Sequence, residues 1–86
     1  MGYNKHVVLD DTNYPRWRYE TELVLRTKFL WEYVIGDKTD SGYCNYEALH
    51  VISQSLSDKY NAYILDMTDC KAAWDKIITI KEGASN

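Results

Sequence analysis

Apolar positions recur at helical spacing along most of the chain, and polar or turn-forming clusters divide them into three blocks. The first block runs from Pro15 to Val34 or Ile35. Trp17, Val24 and Trp31 return every seven residues. Leu23, Leu30 and Val34 join them within one arc of about 140°, which also holds Thr27. That arc is a core face. Asn13 is placed to cap this helix, and Pro15 sits in the first turn, where its missing N–H leaves no bond unmade. Gly36 stops it. Leu25, Phe29 and Tyr33, spaced i, i+4, i+8, fall on roughly the opposite side. A helix apolar on two sides is either sandwiched within its own chain or in contact with a partner.

The second block runs from about Cys44 to Met67. Ala48, Leu49, Ile52, Leu56, Tyr60, Tyr63, Ile64 and Met67 share one face, and Glu47, His50, Gln54, Asp58 and Asn61 occupy the other. Ser57 and Asp58 compete for backbone N–H groups, so a kink or break is expected there. Thr68 reads as the next N-cap, with Asp69 suited to the positive helix end. The last helix is expected from Asp69 to about Lys81, with Cys70, Ala73, Trp74, Ile77 and Ile78 inward and Gly83 as its end. His6-Val7-Val8-Leu9 forms a short apolar arm ahead of the turn Asp10-Asp11-Thr12-Asn13. No run alternates with period two long enough to demand a strand. The expectation is an all-α bundle of three to five helices: an arm over 1–9, a helical domain over 10–82 and a loose end over 83–86.

Composition narrows the function classes. The chain has 86 residues, 45% of them hydrophobic and 27% charged, with a formal net charge of −3. That suffices for one small domain and is too apolar for a disordered tail. No apolar run approaches the ~20 residues of a membrane span, and no secretory leader is expected. Three Trp, eight Tyr and one Phe supply a core that needs no disulfide. Cys44 and Cys70 read as reduced thiols of a cytoplasmic protein, with the nucleus as the other compartment. His6, Cys44, His50 and Cys70 lack the close pairing of zinc ligands, so no metal or cofactor is expected.

Catalytic signatures are missing too. There is no Gly-rich phosphate loop and no Gly-x-Ser-x-Gly elbow. His50 belongs to a polar helix face, and Asp10-Asp11 and Asp66/Asp69 fit turns and caps better than acid–base pairs. Arg16, Arg18, Arg26 and Lys28 scatter around their helix and are diluted by Glu20, Glu22 and Glu32, with Glu22–Arg26 placed as an i,i+4 pair. Neither nucleic acid, nor membrane, nor a small-molecule substrate is expected.

Four segments carry a resemblance. Leu9-Asp10-Asp11-Thr12-Asn13-Tyr14-Pro15-Arg16-Trp17 resembles the Leu-x-x-x-Asn-Tyr-x-x-Trp opening of copia-type retrotransposon Gag proteins, and Leu30-Trp31-Glu32-Tyr33-Val34 is similar to their Leu-Trp-x-x-Val. Ala48, Ile52 and Ser55-Leu56-Ser57-Asp58 resemble the Ala-x-x-x-Ile-x-x-Ser-Leu stretch, and Thr68 to Asp75 resembles the Thr-Ala-x-x-Ala-Trp-Asp element. They occur in the family's order from Leu9 to about Ile78.

The resemblance implies an all-helical fold like the N-terminal domain of a retroviral capsid, without catalytic activity, that assembles with copies of itself. The 86 residues hold no Cys-x2-Cys-x4-His-x4-Cys knuckle and no second capsid half, so a fragment or a short host-adopted derivative is expected. Tyr14, Trp17, Trp31 and Trp74 are the expected core anchors. Leu25, Phe29 and Tyr33, with Arg26 at the rim, are the expected self-association surface. The expected partner is a second copy, in a homodimer or higher oligomer, or another Gag-like or host protein for which the chain acts as an adaptor.

Overall fold

Five helices follow one another in the computed structural model, which describes residues 7–83. They are α1 (Tyr14–Thr27), α2 (Trp31–Ile35), α3 (Tyr43–Gln54), α4 (Asp58–Asn61) and α5 (Cys70–Glu82). Among the described residues the only strand-like feature is a single parallel bridge between Leu9 and Leu56. No helix among them is long and apolar enough to cross a membrane. His6, with the rest of residues 1–6, and the expected loose end from Ala84 onward lie outside the described residues.

α5 follows its sequence pattern closely. Cys70, Ala73, Trp74 and Ile77 are its buried face. Its N-cap is Asp69, one residue beyond Thr68, because the Asp69 carboxylate accepts from the Ala72 N–H at 2.9 Å. Gly83 ends it in the left-handed region at φ 61°. The Asp40 carboxylate starts α3, accepting from the N–H groups of Gly42 (3.1 Å) and Cys44 (2.9 Å). Those donors hold the carboxyl below its ordinary pKa.

The break between α3 and α4 begins at Ser55, ahead of the expected Ser57-Asp58, because Ser55 is a junction. Its hydroxyl donates to the Ile52 carbonyl (2.7 Å) and accepts from the Trp17 indole N–H (3.0 Å), while its own carbonyl accepts from the Leu9 N–H (2.8 Å). Ser55 is buried, so removing its hydroxyl strands a buried indole N–H. Ser55→Ala is expected to lower stability by about 1–3 kcal/mol in chemical denaturation, with no change in secondary structure.

The core is a chain of rings. Tyr14 stacks on Trp17 at 6.0 Å, Trp17 on Trp74 at 5.2 Å, and Trp31 meets Trp74 edge-on at 5.5 Å. α1 and α2 thus close on α5 through one side chain, with Ala48, Val51 and Ile52 of α3 completing the core. At its polar edge, the Tyr14 hydroxyl donates to Glu82 at 2.5 Å. Burial, and then this bond, keep the phenol protonated well above its ordinary range.

The structure corrects three features of the first block. The single helix expected over Pro15–Ile35 is two helices, parted at Lys28–Leu30. With α2 re-aimed by that turn, α1 buries Trp17, Thr21 and Leu25, an i, i+4, i+8 stripe, and leaves Leu23 and Thr27 exposed. The Asn13 side chain makes no cap bond. Instead it accepts from the Asp10 N–H and donates to the Val8 carbonyl (both 2.9 Å), folding the arm back so that Leu9 is fully buried.

A polar latch holds the turn after Leu9. Asp11 accepts from the Tyr60 hydroxyl (2.6 Å) and from the Lys59 ammonium (2.9 Å), and Lys81 donates to Tyr60 (3.1 Å) and to the Asp10 carbonyl (3.3 Å). The Tyr60 hydroxyl and then Lys59 pull the Asp11 pKa below its ordinary 3.8, and Asp11 pushes that of Lys59 above its ordinary 10.5. A lowered carboxyl pKa stabilises the fold fully above the unfolded value, and that contribution is lost as pH falls through the folded value. The raised lysine contributes below its unfolded value and loses its share as pH rises through the folded one. Asp11→Asn should therefore lower Tm at pH 7, and the difference from wild type should shrink as pH falls through the lowered folded value.

Candidate interaction surface

The turn between α1 and α2 is built from a specific pair of backbone bonds. The Leu30 N–H reaches the Leu25 carbonyl at 2.8 Å, and the Phe29 N–H reaches Arg26 at 3.0 Å. This is the Schellman ending of a helix, and the hydrophobic pair that accompanies it is Leu25 with Leu30, both buried. The ending places one residue in the left-handed region, a position usually given to Gly. Here it is Phe29, at φ 60° and 82% exposed.

The four residues expected to form one self-association surface are thereby separated. Leu25 is 0% exposed and belongs to the core, because the stripe it shares with Trp17 and Thr21 is the inward one. Arg26 is committed within the chain: its Nε donates to Glu22 at 2.7 Å, the expected i,i+4 pair, and its guanidinium lies 5.4 Å from the Trp31 ring centre. Tyr33 is half-buried. The Cys44 side chain beside its hydroxyl raises its pKa, and its carbonyl accepts from the Cys70 thiol at 3.5 Å. Phe29 is the apolar member left in solvent.

Lys28 pairs with Glu47 at 3.9 Å, which brings the Phe29 turn beside α3. Tyr43, 76% exposed, lies one helical turn before Glu47 and so belongs to the same side of the molecule. Sequence reasoning passed over Tyr43 and its neighbour Tyr46. Both fall on the helix face shared by His50 and Gln54, and aromatic rings on an otherwise polar face were the available signal.

Against protein-family models, curated proteins and solved structures alike, the chain has no match.

A groove of about 810 Å³ opens between the α2–α3 loop, the start of α3 and the first turn of α5, with Tyr33, Tyr46, Asn45 and Cys70 among its walls. Several of its polar groups are engaged within the chain. Asn45 donates to the Thr68 carbonyl (2.6 Å) and accepts from the Cys70 N–H (2.8 Å), while Asp40 and Asp69 cap helices. Lys71 donates to Asp75 at 2.7 Å. Burial pushes the Cys70 pKa up, so the sulfur is a thiol at neutral pH and a poor nucleophile. Among the described residues no group of three His, Cys, Asp or Glu side chains could hold a metal ion. Among the described residues the most exposed large apolar and aromatic side chains are Phe29, Leu65, Tyr43 and Tyr19.

Proposed function

We propose that the chain is a non-enzymatic interaction module that associates with copies of itself, similar to the N-terminal capsid domain of copia-type Gag proteins. The observation that carries this reading is Phe29. A residue with a side chain in the left-handed region costs about 1–2 kcal/mol against the right-handed alternative. Leaving a Phe in water forgoes a further ~1.5–3 kcal/mol of burial. Glycine at position 29 would remove both costs, so the ring is explained by something that covers it. Tyr43 is a second exposed ring, one helical turn before the Glu47 that Lys28 pairs with. Exposed ion pairs such as Lys28–Glu47 are worth ~0–1 kcal/mol and add little beside apolar burial.

The four Gag-like segments support the same reading. Trp17, Leu30, Trp31, Val34, Ala48, Ile52, Leu56 and Trp74, which carry that resemblance, are all buried, so its signature coincides with the framework of the fold.

The test is mass in solution over a concentration series, by light scattering. Wild type is expected to rise above monomer mass with concentration. Phe29→Glu is expected to stay monomeric, and Phe29→Gly to stay monomeric with an equal or higher Tm. A wild type that remains a monomer to about millimolar concentration, the affinity range that roughly 3–6 kcal/mol from the two rings of a symmetric pair supplies, would reject self-association and leave the surface to a different protein.

A further inference from the structure

The Phe29 turn has a second property, independent of its exposed ring: the chain on either side of it is written as one helix. From Arg16 to Ile35 there is no Gly and no Pro. Trp17, Val24 and Trp31 keep their seven-residue phase straight through Lys28–Leu30, as do Leu25, Phe29 and Tyr33 at i, i+4, i+8. The bend is held by one non-glycine residue at φ 60° and by the Leu25–Leu30 pair. Short connections under backbone strain are the sites at which domains exchange between copies.

The contacts made ahead of the turn meet the other requirement for exchange. Trp17 stacks on Trp74 and bonds Ser55, Leu9 pairs with Ser55, Tyr14 bonds Glu82, and Asp11 bonds Lys59 and Tyr60. Each of these partners lies after the turn in sequence. A second copy presents the same set, so the segment from Leu9 to Thr27 can dock on it with the same bonds.

We propose that Lys28–Leu30 is a swap hinge. When it straightens, α1 and α2 become one helix from Tyr14 to Ile35, and two copies exchange their N-terminal segments to form a dimer. This rests on the reading that the chain self-associates and specifies how it does so: straightening of the hinge backbone drives the exchange, and the ring of Phe29 is covered once two copies have exchanged, where a carboxylate in its place would oppose assembly.

Three proteins separate the possibilities: wild type, Phe29→Gly and Phe29→Ala. Glycine relieves the left-handed position and favours the bend, whereas alanine keeps that penalty, removes the ring and promotes a continuous helix. After refolding at high concentration, wild type and Phe29→Ala are expected to yield dimer, and Phe29→Gly to lose association by about tenfold or more for each hinge. In dimers refolded from a mixture of labelled and unlabelled chains, isotope-filtered NMR should show the Trp17 indole N–H close to the ring of the partner's Trp74. Dimers in which the Trp17–Trp74 contact is found only within one chain would overturn the swap while leaving self-association standing. So would a Phe29→Ala protein that is monomeric when wild type is not. Monomers throughout would overturn both.

Discussion

Trp74→Ala is expected to leave the chain largely unfolded near body temperature. Its ring is the place where three helices meet, stacked on Trp17 at 5.2 Å and edge-on to Trp31 at 5.5 Å, and 3% exposed. Truncating a buried Trp costs about 3–5 kcal/mol in lost transfer energy and residual cavity. A domain of this length has about 4–13 kcal/mol of total stability. The loss is therefore a large share of what holds the fold, and it should lower Tm by roughly 15–35 °C. Nothing else in the core spans the same gap. α1 contributes Trp17 and α2 contributes Trp31, so neither ring has a partner of its own size once Trp74 is gone. Trp74→Phe should retain part of the stacking and lose less than half as much. Thermal melts followed by near-ultraviolet circular dichroism test this directly. A Tm within a few degrees of wild type for Trp74→Ala would mean that the ring does not organise the core.

The same ring cluster shows what was legible before the fold was in view. α5 was readable because its local signals agree to within one residue: a capping side chain at Thr68 or Asp69, of which Asp69 makes the bond, buried residues at i, i+3, i+4 and i+7, and Gly83 at its end. The existence of α3 and a break after it were readable from the stripe and from Ser57-Asp58. The start of that break was not, because Ser55 is fixed by Trp17 and Leu9, residues 38 and 46 positions away. A bond of that span leaves no periodic trace in the chain.

The α1–α2 turn was hidden for a different reason. The residue that marks such an ending is glycine, and here the position holds Phe29. With no visible stop, the helical period of the sequence continues through Trp31 and Val34, whose phase differs from that of the buried stripe of α1. That rotated the inferred core face by about a quarter turn and put Leu25 outside. The one remaining clue was Leu25 and Leu30 themselves, five residues apart, the separation a Schellman ending brings together. The site suffered accordingly: Phe29 was readable as an unneeded apolar residue, whereas its neighbours in the stripe were assigned by a helix that does not continue.

Leu25→Ala decides between the two accounts of that helix. Leu25 is 0% exposed, lies in the inward stripe with Trp17 and Thr21, and forms the apolar half of the helix ending with Leu30. Its truncation should cost about 2–5 kcal/mol and lower Tm by roughly 10–35 °C. Because the loss is internal to one chain, the shift should be the same at micromolar concentration, where association through a few exposed rings is negligible, as at higher concentration. A residue facing a partner behaves in the opposite way: its truncation leaves the dilute protein untouched and weakens only the assembly. The pairing with Phe29→Gly, four residues on, makes the contrast sharp. There the fold should hold or gain while association falls. Were Leu25→Ala to melt at the wild-type temperature in dilute solution, α1 would have to turn its other face to the core, and the Schellman turn at Phe29 could not be what ends it.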